Sequence, residues 1–453
     1  MFENNIITGS SHGPVILLEG ISMENQNPYQ QYMYSYPHKT AYSTLSNIHL
    51  QDYFPYLEGA KNSLYFHIPF CQYKCGYCNL FSIAGQAEQI MEQYINAMEQ
   101  HTKQLSQALP KSTNFCDLTL GGGTPLILSM PLLHRVFSLA KNYFRFDTSG
   151  FPIAIETSPN QTTPEKLELL KEEGVSRISI GIQSFHEAEL KALHRFHSTA
   201  SASKALDAIK EKEFGCLNID LIYGIPGQTT ESFLDSLRQA LAFKPEELFV
   251  YPLYIKPETA LYQEDCRRSA NAMEMYRQAR DFLKAAGYQP HSMRRFVKTS
   301  SHSLPEPSCG FGNTISIGCG GRSYIGNLHF CAPYAVKQEN CLSILEAYLQ
   351  EEDYLKVSHG FLLPPDEQKR RYVIRHILFG KGINLAEYKN HFSEEVHKDF
   401  PILSKWEKSN YATTADGYIT LTDEGFCLSD CLGPQLISPV VQEKMAAFQT
   451  ASA

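Results

Sequence analysis

No stretch of this chain reaches the roughly 18–20 consecutive apolar residues that crossing a bilayer requires, so no membrane span is expected. An excess of positive charge is missing too. Lys and Arg number 40 against 48 Asp and Glu, a net charge of −8, which leaves no electrostatic footprint for nucleic acid. The opening residues, MFENNIITGSSHG, lack a basic stretch followed by an apolar one, so no secretory signal is expected and the expected compartment is the cytoplasm. A dense disulfide framework is absent, because 12 cysteines are spread over 453 residues. There is no low-complexity tract and no internal repeat beyond a βα period. What remains is ordinary globular composition, 43% hydrophobic and 19% charged, enough for a large core.

The regular part begins at residue 63. Six short, β-branched apolar runs follow one another: SLYFHI (63–68), CDLTL (116–120), PIAIE (152–156), RISIGI (177–182), LNIDLIY (217–223) and LFVYPLY (248–254). Their near-continuous apolar character suits parallel strands buried on both faces. Helical patterns separate them, and another, NAMEMYRQARDFLKAAGY, follows the sixth. Thr163 and Pro164 read as a helix start, and Gly174 as its stop. Six βα repeats predict parallel strands with right-handed crossovers, as an open doubly wound sheet or a curved partial barrel. In a barrel, function gathers at the C-terminal ends of the strands.

The flanks divide the chain further. Residues 1–58 read as an N-terminal arm, 59–300 as the barrel core, 301–362 as a segment closing or covering it, and 363–453 as a C-terminal helical module. That module ends in a hairpin signal at Asp416-Gly417 and reads as winged-helix-like. The fold class is α/β, with an arm and a small, mainly helical C-terminal domain; between the two sheet forms, the resemblance given below implies the partial (β/α)6 TIM-type barrel.

Between the first strand and the first helix, Cys71, Cys75 and Cys78 read C-x-x-x-C-x-x-C with no fourth cysteine. A structural zinc site takes four ligands. His67 is available as a fourth, but its place in a strand makes it as readily a packed core histidine. A catalytic cysteine needs one thiol and a base, and three exceed that need. Soft thiolates suit iron–sulfur clusters, and three of them on a cubane leave one iron open to a small molecule. Tyr77 and Phe81 are placed to shield such a cluster. The other nine cysteines read as small buried apolar residues. Cys427 and Cys431 have the spacing to share a helix face.

Further motifs sit at the strand ends. LTLGGGTPLIL puts Gly121, Gly122 and Gly123 after the second strand, where a missing Cβ permits close backbone approach. Glu156 ends the third strand, a place where carboxylates hold ribose hydroxyls. Gln183 ends the fourth, with HRFH (194–197) soon after. Arg195 has the fork geometry to pair with a carboxylate, or it is a solvated helix residue. Asp220 lies inside the apolar fifth strand, which is costly unless it is paired.

The cysteine triplet directly after a first strand resembles the radical S-adenosylmethionine (SAM) superfamily. The G-G-G-T-P string resembles its oxygen-independent coproporphyrinogen III oxidase family, clearly over about residues 60–330. The resemblance implies a [4Fe-4S] cluster on Cys71, Cys75 and Cys78, with SAM on the open iron. One-electron cleavage of SAM would give a 5′-deoxyadenosyl radical that takes hydrogen from the substrate. It also implies SAM contacts at Tyr65, Gly122, Gly123, Thr124, Glu156, Gln183, Arg195 and Asp220. An electron donor such as flavodoxin or ferredoxin would supply the electron.

The branch stays open. Leu80 stands where the oxidase resembles C-x-x-x-C-x-x-C-x-C. The haem-chaperone branch carries H-N-x-x-Y-W, and this chain has one Trp, Trp406, and no such motif. A third branch uses two SAM molecules to methylate its substrate. The expected function is a radical SAM oxidoreductase acting on a small molecule, a tetrapyrrole among the candidates. The alternatives are a two-SAM methyltransferase and a non-enzymatic haem-binding or delivery protein. Substrate recognition is expected in residues 1–58 and 291–345. There, Met293, Arg294 and Arg295 suggest an acidic substrate, or else a solvated surface.

Overall fold

The computed structural model describes residues 28–146, 151–300 and 312–452. Cys309 and the opening residues lie outside them. Six parallel strands run side by side in chain order: β1 (Asn62–Ile68), β2 (Asp117–Gly122), β3 (Ile153–Thr157), β4 (Arg177–Gln183), β5 (Cys216–Tyr223) and β6 (Glu247–Pro252). Leu64, Phe66, Ile180 and Leu221, fully buried, show why the runs read as strands covered on both faces. Helices α1 (Glu88–Ala108), α2 (Met130–Tyr143), α3 (Pro164–Glu172), α4 (Glu187–Ala192), α5 (Thr199–Glu211) and α6 (Thr230–Ala242) join them. Thr163 caps α3 by accepting from Lys166 N at 3.4 Å. Gly174 follows with φ +82°, a left-handed stop.

The sheet stays open. Beyond β1 it continues with a parallel strand, Asn313–Ile317, and then antiparallel strands Ser323–Ile325, Leu328–Phe330 and His359–Leu362. Beyond β6 comes the antiparallel strand Arg295–Lys298. The architecture is a partial barrel lengthened at both edges. Residues 313–317 extend its sheet as a further parallel strand.

The C-terminal residues form a second core around Val373, Ile374, Leu403, Trp406 and Ile419, joined by Met33 and Tyr36 of the arm. Its hairpin, Ala412–Ala415 with Tyr418–Leu421, turns through Asp416 (φ +50°) and Gly417 (φ +80°). That pair of positive φ values is the type I′ turn the sequence signalled. Among the described residues, no helix is long and apolar enough to cross a membrane.

Two expectations about basic and sulfur side chains are corrected. Arg294 and Arg295 are neither solvated nor free for a substrate. They are 3% and 6% exposed, Arg294 pairing with Asp430 and Arg295 with Glu247. Of the outlying cysteines, Cys216, Cys319, Cys341, Cys427 and Cys431 are buried, but Cys116, Cys266 and Cys331 are partly exposed. Cys427 and Cys431 lie on successive short helices, Asp423–Cys427 and Ser429–Leu432, and meet different partners. Arg280 Nη1 lies 3.1 Å from Cys427 Sγ, and Gln30 Nε2 lies 3.3 Å from Cys431 Sγ.

Candidate functional site

The loop after β1 is pinched at its base. Phe70–Cys71 pairs in parallel with Ile83–Ala84, and Gly85 N donates to Cys71 O at 3.2 Å. Within it, Gly76 N donates to Leu193 O (3.0 Å) and Gly76 O accepts from Leu261 N (2.9 Å). A Cβ on Gly76 would lie 2.9 Å from His194 Nδ1, so only glycine fits between these segments. Lys74 Nζ donates to Ser82 O at 3.2 Å and also to Val336 O, tying the loop to the covering segment.

This anchoring fixes three thiols with different neighbours. Arg195 Nη1 lies 3.2 Å from Cys75 Sγ, Thr124 Oγ1 3.7 Å from Cys71 Sγ, and Ser82 Oγ 3.8 Å from Cys78 Sγ. Burial pushes the Cys71 thiol up to about 12, and the Cys78 thiol beside it adds to the rise. Burial, then Cys75, raises Cys78 as well. Thiols placed this way ionise only when a metal takes them. Among the described residues, no three His, Cys, Asp or Glu side chains gather around one ion. His67 completes no zinc site. Its Nε2 lies 3.2 Å from Phe81 O and its Nδ1 3.2 Å from the Tyr65 hydroxyl. Burial lowers it to about 4, so it stays neutral. A cluster asks each thiolate for a separate iron, a wider triangle than one ion needs. The donor set, three free thiols on one loop, fits an iron–sulfur cluster.

The glycine string closes on this loop. Gly123 N donates to Ile68 O and Thr124 N to Phe70 O, both at 2.8 Å. A Cβ on Gly123 would meet Phe70 O at 2.5 Å and Cys71 Sγ at 2.9 Å. On Gly122, at φ +117°, it would meet the His67 ring at 2.6 Å. On Gly121 it would lie 2.9 Å from the Glu156 carboxyl and 3.0 Å from the Tyr65 hydroxyl. The close approach expected of these glycines is thus made to the chain's own groups.

Glu156 accepts from Gly122 N at 3.1 Å. It is solvent-accessible yet ringed by protein, as a side chain facing an open barrel is. Those surroundings raise its carboxyl, against the pull of Gly122 N–H and Arg177. Gln183 sits at φ +71°, after a break in register beyond Gly181. A non-glycine residue in that region is strained, and such residues cluster at functional sites. Arg195 follows α4, and its guanidinium donates to Cys75 Sγ and the Gly181 carbonyl. Tyr77 packs beside Leu193 and Leu261, and Phe81 lies against His67.

Asp220 accepts from Asn218 Nδ2 at 2.7 Å, which also reaches Ser179 Oγ at 2.7 Å. Burial pushes Asp220 up to about 7, Asn218 and Arg177 pull it down, and the Glu156 charge adds to the rise. The folded value lies above the unfolded one, so the folded state holds the extra proton. The resulting cost is absent below the unfolded value and grows as pH rises towards 7. Asp220→Asn should therefore raise the melting temperature more at pH 8 than at pH 5. Equal shifts at the two pH values would refute this origin.

The structure brings Cys71 to Gly123 and Thr124, Cys75 to Arg195, Gly122 to Glu156, and Tyr65 to His67. Three contributors escaped the sequence reading. Asn218 and Ser179 orient Asp220, and the half-buried Tyr251 phenol is raised by its surroundings and then by the Asp220 charge. A polar residue inside an apolar strand was their only signal.

Residues 65–240 match the family model of the radical SAM superfamily. The chain is 32% identical over 266 residues to the heme chaperone HemW of Haemophilus influenzae, 57% of this chain and 69% of that protein. It is 27% identical over 426 residues to the oxygen-independent coproporphyrinogen III oxidase of Escherichia coli, 87% of this chain and 91% of that protein. The structure of the coproporphyrinogen III oxidase HemN from Escherichia coli superposes with a TM-score of 0.78 at 23% identity, covering 89% of this chain and 96% of that one. That last likeness speaks for the fold. With the three-thiol loop after the first barrel strand, these relationships place the chain in the radical SAM superfamily, in the family of oxygen-independent coproporphyrinogen III oxidase and HemW.

Proposed function

We propose that this chain is a radical SAM enzyme in which Cys71, Cys75 and Cys78 hold a [4Fe-4S] cluster. Tyr65, Gly122, Gly123, Thr124, Glu156, Gln183, Arg195 and Asp220 form the SAM site beside it. The observation that carries this reading is the convergence on the thiols: Arg195 on Cys75 at 3.2 Å, and Thr124 with Gly123 on Cys71. When bound, the reduced cluster and SAM supply a carbon radical that abstracts hydrogen from the substrate. The chain's own part is to orient and enclose. Arg195 sets a positive charge at the Cys75 thiolate. Glu156 offers its remaining lone pairs to hydroxyl donors in the barrel.

The substrate is read as an anionic, ring-bearing small molecule, with a tetrapyrrole the leading candidate. The arm supports this. Tyr34 lies 4.4 Å from Arg322, and Lys39 Nζ 4.0 Å from the Tyr334 ring. Burial, then the Arg322 charge, lowers Lys39 to about 7, a cost that an anion would offset. Arm and covering segment thus meet where recognition was expected. A small flavodoxin- or ferredoxin-like donor would deliver the electron.

A second reading, a haem carrier, is favoured by the 32% identity to HemW. The deciding experiment is anaerobic reconstitution with iron and sulfide, then SAM, dithionite and a porphyrinogen, with 5′-deoxyadenosine quantified. The enzyme reading expects 5′-deoxyadenosine that depends on the cluster. SAM-derived methyl in a product would select the two-SAM methyltransferase. Tight haem binding without 5′-deoxyadenosine would sink the enzyme reading.

A further inference from the structure

Glu189, in α4, lies outside every motif above. Its carboxylate is 5% exposed, and its three side-chain partners are neutral. Oε2 accepts from Ser184 Oγ at 2.6 Å and Gln228 Nε2 at 2.9 Å, and Oε1 accepts from Ser232 Oγ at 2.5 Å. A carboxylate is acceptor-only and can serve all three groups at once. Ser232 Oγ also lies 3.1 Å from Thr229 O, so its one hydrogen has a second acceptor within reach.

Each partner begins a path to the site. Ser184 directly follows Gln183, the residue held at φ +71°. Gln228 Oε1 accepts from Gly224 N (2.7 Å) and Ile225 N (3.2 Å), which fixes the loop leaving β5, the strand of Asp220. Ser232 stands in the first turn of α6. These side-chain bonds hold α4, whose backbone carbonyls close the turn that follows: Leu193 N donates to Glu189 O at 3.1 Å and Arg195 N to Leu190 O at 2.9 Å. Leu193 O in turn receives Gly76 N of the cysteine loop at 3.0 Å.

We propose that Glu189 is a positioning residue for the SAM site, a single buried acceptor that locks the ends of β4 and β5 and the Arg195 turn into one arrangement. The inference rests on the reading that Gln183, Arg195 and Asp220 contact SAM. It adds the group that sets their mutual spacing, since small misplacements at a binding constellation weaken it strongly. Cluster loading, which depends on the three thiols, is not its task.

The test uses full-length, cluster-reconstituted protein without reductant, so that SAM is bound and not consumed. Equilibrium dialysis gives the Kd for SAM; iron content and melting temperature are measured alongside. Glu189→Ala, which removes all three acceptor contacts, should keep its iron and raise the Kd for SAM at least tenfold. Glu189→Gln keeps one oxygen for Ser184 and Gln228 and can donate to Ser232 Oγ, a hydroxyl that then gives its hydrogen to Thr229 O, so it should recover most of that loss. A Kd for Glu189→Ala within twofold of wild type overturns the proposal. If that variant does not fold, Ser184→Ala, which removes the donor next to Gln183, carries the test: a Kd raised severalfold supports it, and one within twofold of wild type overturns it. Wild-type protein that binds no SAM overturns both this inference and the reading beneath it. Wild-type binding with unaffected variants overturns this inference alone.

Discussion

Cys75→Ala protein, reconstituted with iron and sulfide, should form no detectable 5′-deoxyadenosine from SAM and dithionite. Cys75 is the middle of the three thiols and the one that faces Arg195 Nη1, at 3.2 Å. Its removal has two effects. The ligand set falls to two thiolates, and the iron centre needs three anchored corners to leave one iron open for SAM. The Arg195 fork also loses one acceptor, while its Nη2 keeps the Gly181 carbonyl. Leaving a guanidinium donor unpaired costs about 1–3 kcal/mol, which a chain with so large a core tolerates. The variant should therefore fold, with a melting temperature near that of the apo wild type and with little bound iron. Cys116→Ala is the matched control. Cys116 is partly exposed, and its Sγ donates to Asn62 O at 3.2 Å, away from the loop. It should load iron and cleave SAM as the wild type does. Undiminished 5′-deoxyadenosine from Cys75→Ala would remove the cluster from this loop.

Much of this was legible before any coordinates. The six strands came from apolar runs of β-branched residues, because strands covered on both faces have no polar side to interrupt the pattern. The same pattern put Glu156, Gln183 and Asp220 on three neighbouring strands, where they lie. What failed, failed for reasons of partnership. Arg294 and Arg295 look like a free basic pair in sequence, but Asp430 lies 136 residues away and Glu247 lies 48 residues away. Linear spacing carries no trace of such pairs. The contacts of Arg195 with Cys75 Sγ and the Gly181 carbonyl were equally beyond linear spacing, since those residues lie 120 and 14 positions away. Nor does the glycine string itself show which of the chain's own groups need the space: Glu156, His67 and Phe70 lie where the three Cβ atoms would be. Helix α4 is too short to show a period, so nothing in the sequence marks Glu189. Its three partners come from two other loops and a helix start.

The other large effect lies at the far end of the barrel. Glu247→Ala should destabilise the fold by about 3–5 kcal/mol, the usual cost of leaving a buried charge without its partner. Glu247 is 1% exposed and serves two guanidiniums. Arg177 reaches Oε2 with Nη2 at 2.8 Å and Nε at 3.1 Å, and Arg295 reaches Oε1 with Nε at 3.1 Å. The triad joins the start of β4, the start of β6 and the antiparallel strand Arg295–Lys298, so its loss loosens three strands at once. Burial works against the Glu247 charge, but the two guanidiniums prevail and hold its carboxyl below the usual range. A carboxyl lowered by folding stabilises the fold above its unfolded pKa, about 4.3. That contribution is lost as pH falls through the lower, folded value. The gap in melting temperature between wild type and Glu247→Ala should therefore be full at pH 7 and shrink below about pH 4. A gap that stays constant as the solution is acidified would mean that packing, not charge, holds this end together. The triad lies at the starts of strands whose opposite ends carry Gln183 and Pro252. At temperatures where the variant remains folded, its SAM affinity should match the wild type. A matching loss of SAM binding in folded protein would show instead that this end of the barrel sets the geometry of the other.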